Sequence, residues 1–414
     1  MVYIVQPIHT IIFFTYYIYY CVGRLQLVQI LFRHGERAPT SYLRFPTEPS
    51  NTTAKFDVEK GELTNVGIRQ EYYLGLRLRE QYGSFIGAKY TPSKVNMLAG
   101  GDNRTITSGL AVLAALFPPN DDQIWNERLL WQPVAVHSEE LIDYVSDIVI
   151  DKCPAKGKEM KESEAYQRTS MADQSFKQWL SNATGIDVSD AYEYQRVIDS
   201  LYTRYTLEDL ALPEWAQGEN FHQMLAAKRA ELHSAFVEMT LPESGGWIYD
   251  QIVANIDRFI SNNTKHNIVL YSGHDTNIMT LGKYLEIKQL DVLTDYGGSL
   301  AIELHSENGA EIIKIWFSPA YNASFIPVDI PGCAPPCAHE IFGNLKPRVS
   351  SESWMSTCVG SSLSSVCETY TVTVGSLVVT IFVLLLAIIG LLVSTCHFWK
   401  LSRLRDPEQI RLLS

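Results

Sequence analysis

The residues best suited to chemistry sit in one short string, LFRHGERAP, where an apolar run passes straight into Arg33, His34, Gly35, Arg37 and Pro39. Arginine presents a planar fork of donors that matches phosphate oxygens, histidine serves as nucleophile or base, and glycine lets the backbone come close to a ligand. A chain of this length would show R-H-G-x-R-x-P by chance only about once in ten thousand. Two further strings end apolar runs in the same way. VLYSGHDTN brings His274 and Asp275 to the start of a helical pattern, and LAGGDNRT brings Arg104 there after Gly100 and Gly101. Singly, each has a plainer reading: a solvated turn, an aspartate capping a helix beside a surface histidine, a surface arginine. Together, three arginines, two histidines and one carboxylate make an anion site, and phosphate is its natural occupant.

These groups converge only if the strings are corners between strands and helices, because α/β folds bind ligands at the carboxyl ends of strands. LQLVQILF reads as a buried strand, GELTNVGIRQEYYLGLRLREQYG as a helix, KVNMLAGG as a strand and NRTITSGLAVLAALFP as a helix. The alternation returns in WIYDQIVANIDRFISN, HNIVLYSG and DTNIMTLGKYLEI. The expectation is a mixed-sheet α/β domain over residues 24–347, flanked by helices, with a smaller α-rich lobe inserted at 126–244. Asn308-Gly309, between two alternating runs, predicts a tight hairpin that edges the sheet.

The 414 residues, 46% hydrophobic and 19% charged, predict more than one packing unit and exclude a disordered chain. With 34 Lys+Arg against 46 Asp+Glu the formal charge is −12, which disfavours broad binding to nucleic acid, so an anion site must be local. Residues 1–23 read as a signal peptide, with an apolar heart at 10–22 and small residues around Cys21-Val22-Gly23. Residues 372–396 carry no charge and predict a single transmembrane helix. Lys400, Arg403, Arg405 and Arg411 follow it and Glu368 precedes it, so the positive-inside rule places the tail 397–414 in the cytosol and the body on the lumenal or extracellular side, a type I arrangement. Serine-rich residues 348–371 read as a stalk. Cys153, Cys333, Cys337, Cys358 and Cys367 lie in the exoplasmic part, an odd number whose pairing spacing alone does not fix, although CAPPC suits a small structural loop. Asn51, Asn103, Asn182, Asn262 and Asn322 each begin a glycosylation sequon. Glu408 with Leu412-Leu413 fits an acidic dileucine sorting signal toward endosomes or lysosomes, against plain delivery to the cell surface.

On its RHGxRxP string, its later His-Asp pair and the intervening arginine of LAGGDNRT, the chain resembles the histidine acid phosphatase family over residues 25–358, and with its anchor it looks closest to the prostatic and lysosomal branch. The resemblance implies hydrolysis of phosphate monoesters without metal or other cofactor. His34 would be the nucleophile that forms a phosphohistidine, Arg33, Arg37, Arg104 and His274 would hold the phosphate oxygens, and Asp275 would protonate the leaving alcohol. It also implies disulfides Cys153–Cys358 and Cys333–Cys337, and a homodimer. Gly273, Asn277 and Glu36 depart from residues common in that branch without removing a catalytic group.

Elementary electrostatics adds an acidic optimum: neighbouring cations keep His34 neutral in acid, and bound phosphate raises Asp275 so that it holds its proton. Neither an HExxH run nor a Walker lysine appears in the sequence. Rival readings are an inositol-phosphate phosphatase of the same superfamily, which calls for extra basic residues in the pocket, a cytosolic mutase of the wider clan, and a catalytically inactive membrane receptor on this scaffold.

Overall fold

A computed structural model describes residues 23–49, 58–207 and 212–403. The expected signal peptide, the Asn51 sequon and the dileucine signal lie outside the described residues. The chain divides into two compact units, Met1–Cys358 and Val359–Ser414. The first opens with β1 (Arg24–Arg33), α1 (Asn65–Ile86), β2 (Val95–Ala99), α2 (Asn103–Leu116) and β3 (His137–Ser138). Six helices follow: α3 (Ile148–Lys152), α4 (Pro154–Glu162), α5 (Glu164–Met171), α6 (Gln174–Thr184), α7 (Ala191–Thr206) and α8 (Glu219–Thr240). Then come α9 (Glu243–Ile260), β4 (Ile268–Gly273), α10 (Asp275–Tyr284), β5 (Ser299–Glu307), β6 (Ala310–Ser318), β7 (Ile326–Val328), β8 (Cys337–Ala338), α11 (His339–Gly343) and α12 (Ser351–Val359).

The strands form one mixed sheet in the order β3-β2-β4-β1-β5-β6-β7, with β8 also on β6. β3, β2, β4 and β1 run parallel, whereas β5 to β8 are added antiparallel. Alternation builds the two cores: Leu27 and Leu31 of β1 face one hydrophobic cluster, Val28, Ile30 and Phe32 the other. The second is closed by α1 and α2, with Leu74, Leu78, Tyr82 and Ile86 four residues apart on one helical face. Gln29, fully buried on the first face, accepts from Asn255 Nδ2 at 2.9 Å and from the Tyr271 hydroxyl at 3.1 Å, and donates to the Ile252 carbonyl at 2.9 Å. A polar residue inside an apolar strand is tolerated there because its amide is satisfied.

The chain leaves β1 toward β2 on one side and leaves β4 toward β5 on the other, so the crevice between the ends of β1 and β4 is the switch point where such sheets bind ligands. The six helices α3 to α8 share one continuous core with a sheet face, and β3 falls inside the stretch expected to be an α-rich insertion, so the helical part begins only at Ile148. Asn308 and Gly309, with φ of 52° and 82°, turn the expected hairpin between β5 and β6. That hairpin does not edge the sheet, because β7 and β8 both pair with β6.

The expected stalk also needs correcting. Its first part is α12, whose Trp354 is fully buried and whose Cys358 is bonded to Cys153. Serine-rich composition hid the tryptophan that, with the implied Cys153–Cys358 disulfide, ties the segment to the body. The other implied disulfide, Cys333–Cys337, is formed as well. In the second unit, α13 (Ser361–Arg403) contains the apolar run Val379–Leu401, long enough to cross a membrane. This run overlaps the expected span over residues 379–396.

Candidate active site

Register brings the three strings together. Arg33 closes β1 opposite Gly273 of β4, the His34 amide continues the ladder by donating to the Gly273 carbonyl at 2.9 Å, and the Gly100 amide donates to the Ser272 carbonyl at 3.1 Å. Gly35 serves packing: a Cβ there would lie 2.4 Å from the carbonyl oxygen of Gly67 at the start of α1. The conformational freedom inferred for a ligand is used to seat a helix against the corner.

A cavity of about 270 Å³ opens beyond these corners. His34, Arg37, Arg104, His274 and Asp275 line it from the strand ends, and Asp147, Asp151, Tyr192, Gln195, Asp199, Arg229 and His233 line it from α8, α7 and the start of α3. Nδ1 of His34 lies 2.7 Å from the Gly35 carbonyl oxygen, so that nitrogen carries the proton and Nε2 keeps its lone pair. Burial, then the charges of Arg104, Arg33, His274 and Arg37, hold the imidazole well below its ordinary pKa. A neutral, oriented imidazole inside a ring of cations is the result.

Arg33 sits behind the lining residues. It does not line the cavity; its guanidinium lies over the Tyr296 ring at 4.1 Å, donates to the Thr294 carbonyl at 2.8 Å and pairs with Asp275 at 3.4 Å. Arg229 takes the lining position, at 3.2 Å from the same carboxylate oxygen. Burial alone would raise Asp275, but Arg33 and Arg229, with His233 and His34, hold it well below the usual carboxylate range. Asp275 is therefore ionised in the free site, where two guanidiniums share it; the protonation expected from the sequence belongs to the phosphate-bound site. Asp199 repeats the pattern. It accepts from Arg37 Nη2 at 3.0 Å and from Arg229 Nε at 3.2 Å, and burial is outweighed by those two arginines, so it stays ionised.

Asp143, Asp199, Arg229 and His233 were not among the sequence candidates. Their signal is helical rather than motif-like: Tyr192, Gln195, Arg196 and Asp199 follow i, i+3, i+4, i+7 on α7, and Arg229 and His233 are i, i+4 on α8. Asp143 carries no such pattern; it precedes α3 and accepts from His274 Nε2 at 2.8 Å.

The geometry has counterparts. The model of the histidine phosphatase superfamily (branch 2) matches residues 24–318. The chain is 30% identical to prostatic acid phosphatase of Mus musculus over 82% of its length and 90% of that protein, and 27% identical to lysosomal acid phosphatase of Homo sapiens over 81% and 80%. Among solved structures, the phytase from Citrobacter braakii (TM-score 0.54, 78% of this chain, 97% of that one) and that of Hafnia alvei with myo-inositol hexakis sulphate (0.55, 82% and 98%) are each 18% identical and share the fold. With strand ends, cavity and sequence in agreement over most of its length, the chain belongs to branch 2 of the histidine phosphatase superfamily.

Proposed function

We propose that this chain is an acid phosphatase that hydrolyses phosphate monoesters through a phosphohistidine on His34. The observation that carries it is the neutral His34 with Nδ1 tied to its own backbone, lining a cavity together with Arg37, Arg104 and His274. Nε2 attacks phosphorus as the ester P–O bond breaks, while Arg37, Arg104, Arg229 and His274 take the charge of the equatorial oxygens. Asp275 gives its proton to the leaving oxygen and, as carboxylate, takes one from the water that then attacks phosphorus and releases inorganic phosphate. Asp275 is ionised in the free site, so its proton arrives with a phosphate group whose negative charge offsets Arg33 and Arg229. Raising the pH removes that proton, and activity falls toward neutrality.

The reading extends to topology: a type I protein with a single C-terminal span, its catalytic body lumenal or extracellular, in lysosomes, endosomes or at the surface. Exposed Asn182, Asn262 and Asn322 suit glycosylation on that face. The inositol-phosphate alternative is disfavoured by the helical wall. Its Arg196 is paired with Glu193 at 2.7 Å and its Lys152 with Asp102 and Asp143, leaving Asp147 and Asp151 facing any second phosphate.

The test is acid quench of the full-length, detergent-solubilised protein during turnover of a labelled aryl phosphate at pH 5, beside His34→Ala. Label that survives alkali, is lost in acid and is missing from the mutant is expected. Two folded proteins that neither turn over substrate nor trap label would sink the proposal in favour of the receptor reading.

A further inference from the structure

We propose that Asp143, Lys152 and Asp102 form a positioning relay that sets the grip of His274 and Arg104 on phosphate; the assignment rests on the phosphate-site reading above. Asp143 is fully buried and both its oxygens are engaged: Oδ1 accepts from His274 Nε2 at 2.8 Å, and Oδ2 accepts from the Gly101 amide at 2.8 Å and from Lys152 Nζ at 3.0 Å. With Nε2 committed, Nδ1 is the atom His274 has left for a ligand. Gly100 makes this approach possible, since a Cβ there would lie 2.0 Å from Asp143 Oδ1. The glycine pair of LAGGDNRT is thus the seat of a carboxylate.

Lys152 continues the chain of contacts. Its ammonium also donates to Asp102 Oδ1 at 2.9 Å, and Asp102 Oδ2 pairs with Arg104 Nη2 at 2.5 Å. One cation therefore joins two carboxylates, each of which holds one phosphate-facing side chain. Asp102, Asp143 and His274 bring three metal-type ligand atoms within 4.8 Å of one another, and the ammonium of Lys152 is hydrogen-bonded to both carboxylates of that group. Without it, Asp102 and Asp143 repel, and the ring and the guanidinium they hold lose their fixed directions. Lys152 ends α3 beside Cys153, whose bridge to Cys358 anchors that end of the helix.

The experiment measures inorganic phosphate binding by titration calorimetry, with KM and kcat for an aryl phosphate, on the full-length protein and its Lys152→Met, Lys152→Arg and Asp143→Asn variants. Removal of one charge-assisted contact predicts phosphate Kd and KM about tenfold higher for Lys152→Met and Asp143→Asn, with melting temperatures near wild type for the half-exposed Lys152. Lys152→Arg keeps the charge and is expected within about threefold of wild type. A folded Lys152→Met with wild-type phosphate affinity, or a Lys152→Arg as impaired as Lys152→Met, overturns the relay. Wild type that binds phosphate without turnover would leave the relay testable and sink the catalytic reading; wild type that binds no phosphate sinks both.

Discussion

The cavity has two walls of different origin. One is made of strand ends, where residues 33–37, 100–104 and 272–275 meet on adjacent rungs of the parallel half of the sheet. The other is made of helix faces, with Asp147 and Asp151 at α3, Tyr192 to Asp199 on α7, and Arg229 and His233 on α8. The strand wall carries His34, the proposed nucleophile, and is held by backbone hydrogen bonds between strands. The helical wall carries counterions and the surface a leaving group would meet. The two walls touch through Asp275 and Asp199, the carboxylates that each bind arginines across the gap.

The strongest challenge to this division is Asp275→Asn, which keeps the shape and removes the proton. Loss of a general acid predicts kcat lower by about 10²–10³ for an alkyl phosphate and much less for nitrophenyl phosphate, whose leaving oxyanion needs no proton. Comparing kcat for the two esters decides the matter: equal losses would make Asp275 a tether for Arg33 and Arg229 and not an acid. Next in size is Asp199→Asn. Breaking a buried ion pair from one side costs about 3–5 kcal/mol, because Arg37 from the strand wall loses its carboxylate and Arg229 from the helical wall is left with Asp275 alone. A lower urea midpoint is expected, with saturating phosphate restoring more stability to the variant than to wild type. An unchanged midpoint would mean that the walls stand independently.

The same contrast explains what was legible. A strand end and the helix after it share one corner, so His34 with Arg37, or His274 with Asp275, are neighbours in sequence as well as in space. The sheet, its α/β order and the position of His34 at a strand end could therefore be read from short strings. Asp199 and Arg229 are thirty positions apart and meet only because α7 and α8 pack together; a helical face of polar residues looks like any solvated face until its burial is known. The surroundings of Arg33 were hidden for a related reason. Its place in the string is right, but which way its side chain leaves β1 depends on Tyr296 and Thr294, which no local pattern announces. Trp354 was missed because serine-rich composition averages over the one side chain that buries the segment.

Stability against pH tests whether the buried histidines of the two walls behave alike. His34 is held well below its ordinary pKa, and burial followed by Arg229 pushes His233 down to about 3. Each stays neutral in the fold while the unfolded chain takes up a proton near pH 6.5, so stability is full above that pH and is lost progressively as pH falls below it. The slope is at most about 1.4 kcal/mol per pH unit for each histidine. Asp199 and Asp275, depressed in the fold, offset nothing in this window; their contribution is present above about pH 4 and disappears below it. Asp147 and Glu71, both raised by burial, hold protons in the fold that the unfolded chain releases, and so oppose the histidines between pH 5 and pH 7. His233→Gln should therefore lose less of its urea midpoint than wild type on going from pH 7 to pH 5, and an equal pH dependence of the two proteins would place a charged His233 in the fold.

The smallest effect expected belongs to selection. Burial, then Asp199, raises Asp147 to about 6, and Asp151 accepts from the Tyr192 hydroxyl, so this wall gains negative charge as pH rises through 6. A substrate with phosphates beyond the reacting one meets that charge, whereas an aryl monophosphate does not. Replacing both residues by Asn should raise kcat/KM for inositol hexakisphosphate relative to the aryl ester by about 3- to 10-fold, the scale of one or two screened charge contacts, and the gain should be larger at pH 7 than at pH 5 because only the ionised wall repels. An equal gain at both pH values would point to size instead of charge, and none at all would return leaving-group selection to the strand wall.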